Sequence, residues 1–237
     1  PLSGHSFDYV ALALAEKGYR CIVPDRRGFG RSDQPWDGYD YDSFTSDVET
    51  VVADAGVDGM LALAGFSMGG GEVARFCSRH RDRVSHAVLI GSVVPGLQEV
   101  PKEVFDGMIE GIRTDRAQFF QDFFKDFFGV SFLAHPVSDA ALANAWRQAM
   151  MAGLRPTIAC VRAFSETDFR GDLPALPKKT LLIHGIDDQT VPIALTARVV
   201  NEALPPAMLH EYECAAHGLF ESHKDRMIAD MLEFLGS

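Results

Sequence analysis

"MLALAGFSMGGGEVAR", residues 60–75, changes character in its middle. Its first seven residues are an apolar run without strict alternation, the pattern of a strand covered on both faces. Its last seven open on three glycines and continue at helical spacing. Between the two halves stands Ser67 in a G-x-S-x-G frame. The frame alone is a weak signal, but directly after a strand and before a helix it marks a sharp turn that holds a serine hydroxyl in a strained, exposed position. Small neighbours let strand and helix approach closely enough to keep it there. The helix start adds unpaired N–H groups and the positive end of a dipole, so the backbone N–H of Met68 is a candidate donor to an oxyanion.

A serine at its free pKa is a poor nucleophile and needs a histidine base oriented by a carboxylate. Two downstream segments supply them: "TLLIHGIDDQTVP" (180–192) and "MLHEYECAAHGLF" (208–220) each place polar residues just after a short apolar run. His217 is the candidate base, and Asp188 or its neighbour Asp187 the carboxylate, in the chain order serine, acid, histidine. The other histidines suit the role less. His5, His80, His86 and His223 fall on or beside helices or strand starts, His135 precedes Pro136, and His184 and His210 lie within or at the end of strands.

Further apolar runs at 19–25 ("YRCIVPD") and 86–92 ("HAVLIGS") bring the predicted strands to five. Helical patterns near 7–17, 43–55, 70–79, 194–203 and 225–235 alternate with them, which predicts an α/β fold with a mostly parallel sheet. After Ser92 about 85 residues pass before the next strand, carrying helical patterns at 101–113, 115–128, 138–151 and 155–166. The predicted organisation is therefore a core of residues 1–92 and 172–237 with a helical cap, 93–171, inserted between strands. Within the cap, "FFQDFFKDFFG" sets Phe119, Phe120, Phe123, Phe124, Phe127 and Phe128 on one broad stripe, for core packing or to line a pocket.

With 237 residues, 47% of them hydrophobic, and a formal charge of −11, the chain suits one domain with a sizeable core. It has no basic run of the kind that nucleic acid or an acidic membrane would require. Cys21, Cys77, Cys160 and Cys214 stand far apart without metal spacing and read as free thiols of a cytoplasmic protein. No cofactor or metal is expected. In "DRRGFGRSD" (25–33), the glycines lack the dinucleotide spacing, and Arg26, Arg27 and Arg31 are expected to pair with Asp25 and Asp33 at the edge of the site.

"DRRGFGRSDQPW", "GFSMGGGEVAR", "FSETDFR", "IHGIDDQTVP" and "AAHGLF" together resemble the α/β-hydrolase fold, and within it the cofactor-free bacterial haloperoxidase, perhydrolase and aryl esterase family. The similarity covers nearly the whole chain. It implies Ser67 as nucleophile, His217 as base and Asp188 as the carboxylate. The activity it implies is cleavage of aryl or short acyl esters through an acyl-enzyme, with hydrogen peroxide as an alternative acceptor yielding a peracid. Alternatives are a carbon–carbon bond hydrolase of the same fold and a non-catalytic ligand-binding protein. The expected partners are a small ester or carboxylic acid and hydrogen peroxide, with several copies of the chain as an assembly. The resemblance also implies that Pro1 follows a second oxyanion donor, and that about 25–30 further residues with three strands precede it. By that expectation the strand between "YRCIVPD" and "MLALAGF" is missing, and the chain lacks the second donor.

Overall fold

A computed structural model describes residues 1–236. In chain order its elements are α1 (Asp8–Glu16), α2 (Tyr41–Asp54), β1 (Leu61–Phe66), α3 (Gly69–Arg79), β2 (Val84–Ile90), α4 (Lys102–Phe128), α5 (Asp139–Met151), α6 (Leu154–Glu166), β3 (Thr180–Gly185), α7 (Ala197–Ala203), β4 (Met208–Tyr212), α8 (Leu219–Ser222) and α9 (Lys224–Leu235). The four strands form one parallel sheet in the order β1-β2-β3-β4. β3 is buried at every position, and Leu181, Leu182 and Ile183 are the centre of the core. Continuous apolar runs become central parallel strands because both faces are covered by helices.

The expected strand at 19–25 does not form. An apolar run becomes a strand only when a neighbour completes its hydrogen-bond ladder. Among the described residues, nothing pairs with β1 on the side away from β2. Residues 19–25 and β1 instead face one cavity, and Tyr19, Ile22 and Val23 are exposed along it.

Capping chemistry sets the helix boundaries. Asp40 accepts from the Ser43 N–H at 2.8 Å to start α2, and Ser138 accepts from the Ala141 N–H at 3.2 Å to start α5. α4 contains a break at Asp115, where φ is −152°. Its carboxylate accepts from the Gln118 N–H at 3.0 Å, so Asp115 caps a second helical segment, and the two segments follow the expected division near residue 114. α5 and α6 both pack against α4.

The phenylalanine stripe on α4 divides between two roles. Phe120, Phe124, Phe127 and Phe128 are buried, while Phe119, Phe120, Phe123 and Phe127 line the cavity. Phe124 is 1% exposed and touches Phe120, Phe123, Phe127 and Phe128. Phe124→Ala is expected to lower stability by about 3–5 kcal/mol, read from the midpoint of urea unfolding.

The arginines at the site edge pair otherwise than expected. Arg31 does reach Asp25 at 3.2 Å. Arg26, however, is bonded to Glu72 on α3, and Arg27 to Asp47 on α2 at 2.5 and 2.6 Å. Their partners lie on helices brought alongside by the fold, which local charge spacing cannot reveal. All four cysteines are free, and burial pushes the Cys77 thiol up to about 12. No helix among the described residues is long and apolar enough to cross a membrane.

Candidate active site

Ser67 closes the turn between β1 and α3 with φ at +53°, a left-handed conformation rare for a residue with a side chain. Three backbone bonds hold it there: its N–H donates to the Ile90 carbonyl at 2.8 Å, and its own carbonyl accepts from Gly70 N at 3.0 Å and Val93 N at 3.2 Å. Glycine is required at position 65 because a Cβ there would collide with the backbone of Gly69 and Gly70. This is the close approach of strand and helix that the sequence implied.

His217 stands in the loop between β4 and α8, 1% exposed. The Ser67 Oγ lies 2.9 Å from its Nε2, and Nδ1 lies 2.6 Å from Asp188 Oδ2. With Asp188 ionised, Nδ1 carries the proton and Nε2 is free to accept from the serine. The imidazole is packed between aromatic rings, Phe66 of β1 at 4.8 Å and Phe127 of α4 at 4.9 Å between centroids. Gly218 makes the second contact possible: a Cβ on it would strike the Phe127 and Phe128 rings, and its N–H donates to the Phe127 carbonyl at 2.7 Å. The end of α4 is thereby tied directly to the loop that carries His217.

Asp188 sits just past β3, 2% exposed. Its Oδ1 accepts from Thr190 N at 2.9 Å and Val191 N at 2.7 Å, leaving Oδ2 to face His217. Burial alone would raise its pKa, but the His217 charge and the hydrogen bonds from His184 and His217 outweigh that and hold the carboxyl well below the usual range. Asp187, the alternative in the sequence, is exposed. Of the two, only Asp188 reaches the histidine.

Met68 occupies the N-cap position of α3, where a helix start leaves N–H groups without intrahelical acceptors. Two residues escaped the sequence reading here. The Tyr41 hydroxyl, on α2, donates to the Met68 carbonyl at 3.1 Å, and only the fold brings that tyrosine to the turn. His184, set aside as a strand residue, touches Asp188; its spacing of four from that aspartate was the available signal. Tyr41→Phe is expected to lower kcat about 2- to 10-fold at unchanged KM, by loosening Met68, the residue whose other backbone group is the candidate oxyanion donor.

Ser67, Met68 and His217 open on a cavity of about 1520 Å³ whose walls are largely aliphatic and aromatic; Pro1 also lines it. Among the described residues, no group of three or more histidine, cysteine, aspartate or glutamate side chains is placed to hold a metal ion. The arrangement suits covalent attack on a carbonyl held in an apolar pocket.

Comparison with known proteins agrees in sequence and in shape. The chain is 40% identical to a non-heme haloperoxidase of Rhodococcus erythropolis, an alignment spanning 100% of this chain and 89% of the relative. It is 36% identical to a bifunctional esterase/perhydrolase of Acinetobacter calcoaceticus with the same coverage. The crystal structure of a bromoperoxidase from Bacillus anthracis superimposes with a TM-score of 0.94 at 38% identity, covering 100% of this chain and 89% of that one. The family description "alpha/beta hydrolase fold" matches residues 1–224, and with these similarities the chain belongs to the α/β-hydrolase fold family.

Proposed function

We propose that the protein is a serine esterase and perhydrolase acting through Ser67, His217 and Asp188. The observation that carries the reading is the unbroken line of hydrogen bonds from the Ser67 hydroxyl through His217 to a buried carboxylate, at the wall of an apolar cavity. Relatives named esterase/perhydrolase and non-heme haloperoxidase support the choice of reaction.

In this reading Ser67 Oγ attacks the ester carbonyl while its proton passes to His217 Nε2. The oxyanion that forms accepts from the Met68 N–H. The proton then goes to the departing alcohol or phenol, leaving an acyl group on Ser67. Water, deprotonated by His217, releases a carboxylic acid; hydrogen peroxide in its place releases a peracid, which oxidises halide in solution without a metal. Asp188 keeps the histidine in the right tautomer and balances the imidazolium. Residues 93–171 form the cap over the remaining core, 1–92 and 172–237, and the α4 rings that line the cavity select apolar aryl or short acyl groups.

Incubation with a fluorophosphonate followed by peptide mapping is expected to label Ser67, and a phenyl ester to release phenol in a burst. Carboxylic acid with hydrogen peroxide is expected to give peracid. Label on another serine would refute the assignment, and turnover of a dienone acid without ester cleavage would favour a carbon–carbon bond hydrolase.

A further inference from the structure

His184 is the penultimate residue of β3, at 0% exposure, and the reaction as described does not use it. Its Nε2 lies 2.8 Å from the Val191 carbonyl and 3.2 Å from Asp188 Oδ2, while its Nδ1 is buried with no partner. Both neighbours of Nε2 are acceptors, so the proton sits there and the lone pair on Nδ1 goes unused. An unsatisfied ring nitrogen in the core costs stability that an apolar side chain would not. A compensating role is therefore expected at the other nitrogen.

Asp188 shows what that role is. Each carboxylate oxygen faces two donors: backbone N–H groups of Thr190 and Val191 bond Oδ1, His217 bonds Oδ2, and the His184 Nε2 lies 3.2 Å from that same oxygen. Val191 takes part twice, its N–H donating to Oδ1 and its carbonyl accepting from His184, so side chain and loop close a ring around the carboxylate.

We propose that His184 is a positioning residue: its Nε2–H, shared between Val191 and Asp188, holds the carboxylate in the rotation that presents Oδ2 to His217 and tempers its attraction for the imidazolium. The inference rests on Ser67, His217 and Asp188 acting as the catalytic set. A donor on Oδ2 competes with His217 for the same negative charge. Removing it strengthens the Asp188–imidazolium pair, so His217 holds its proton to higher pH and is a poorer base near neutrality. The other charged groups nearby are Glu211, opposite His184 in the β3–β4 register, and Arg198 of α7, which pairs with Glu211 at 2.7 Å. Both are left unchanged by the test.

The test compares His184→Leu, which has no donor, with His184→Gln, whose amide can donate where Nε2 does. The imidazole of His217 is titrated by NMR in each, alongside the pH profile of kcat/KM and the thermal midpoint. His184→Leu is expected to move the His217 ionisation upward by about 0.5 to 1 in pH and to lower kcat/KM about 10- to 100-fold, mostly through kcat. His184→Gln is expected to restore the titration and most of the rate. His184→Asn, whose shorter amide cannot reach Oδ2, should behave as the leucine variant and substitutes for it if that variant does not fold. An unmoved titration in both the leucine and asparagine variants overturns the proposal, as does equal impairment of the glutamine variant. The NMR titration needs no turnover, so failure of the proposed reaction would appear separately, as wild-type protein unlabelled at Ser67 by a fluorophosphonate.

Discussion

Ser67→Ala is expected to abolish ester turnover, with kcat lowered about 10⁶-fold, while the protein stays folded. The hydroxyl makes one hydrogen bond, to His217, and sits at the cavity, so deleting it removes the proposed nucleophile without opening a hole in the core. What holds the turn is backbone: the bonds to Ile90, Gly70 and Val93 remain in the variant. Alanine keeps a Cβ at φ +53°, so the strain of the turn remains too. Ser67→Gly should be equally inactive yet more stable than Ser67→Ala by about 1–2 kcal/mol, because glycine adopts the left-handed conformation without steric penalty. Paired unfolding and activity measurements would show a position whose strain serves chemistry. Residual turnover above about 10⁻³ of wild type in either variant would mean that another group attacks the ester.

The features legible in the sequence were those that neighbouring residues determine. The strand, serine turn and helix of residues 60–75 could be read because the apolar run, the glycines and the helical spacing lie next to one another. The break in α4 falls between the helical patterns at 101–113 and 115–128, and it is local because Asp115 caps its own following turn. Misreadings arose where a partner comes from far along the chain. "YRCIVPD" has the composition of a strand, but pairing decides whether it becomes one, and composition says nothing of pairing. Arg26 and Arg27 have acids beside them in sequence and bind acids on α3 and α2 instead. The phenylalanine stripe carried both of its readings, because a helix wedged between a core and a cavity serves both. His184 was passed over because a histidine in a strand reads as filler until the loop after it is seen to fold back onto its ring.

Asp188→Asn is expected to lower kcat/KM about 10⁴-fold, whereas Asp187→Asn keeps nearly full activity. The four polar contacts of the Asp188 carboxylate are all with donor groups, two at each oxygen. An asparagine can present only one oxygen. If its amide nitrogen takes the place of Oδ2, it meets the Nε2–H of His184 and forces the proton of His217 from Nδ1 to Nε2, where it blocks acceptance from Ser67. If the amide turns over, its nitrogen faces the N–H groups of Thr190 and Val191 instead. Neither rotation is satisfied, so the variant should lose stability as well as rate. Acid should reveal the same contacts. Because the carboxyl of Asp188 is held well below its ordinary range in the folded protein, its ionisation stabilises the fold above the unfolded value of ~3.9, and that contribution fades as the pH falls below it. Unfolding free energies of the two proteins should therefore differ most near neutrality and converge as the pH is lowered below ~4. A constant gap across that range would mean that the carboxylate is not held by its donors, and an Asp187→Asn variant as impaired as Asp188→Asn would place the orienting charge on the exposed neighbour.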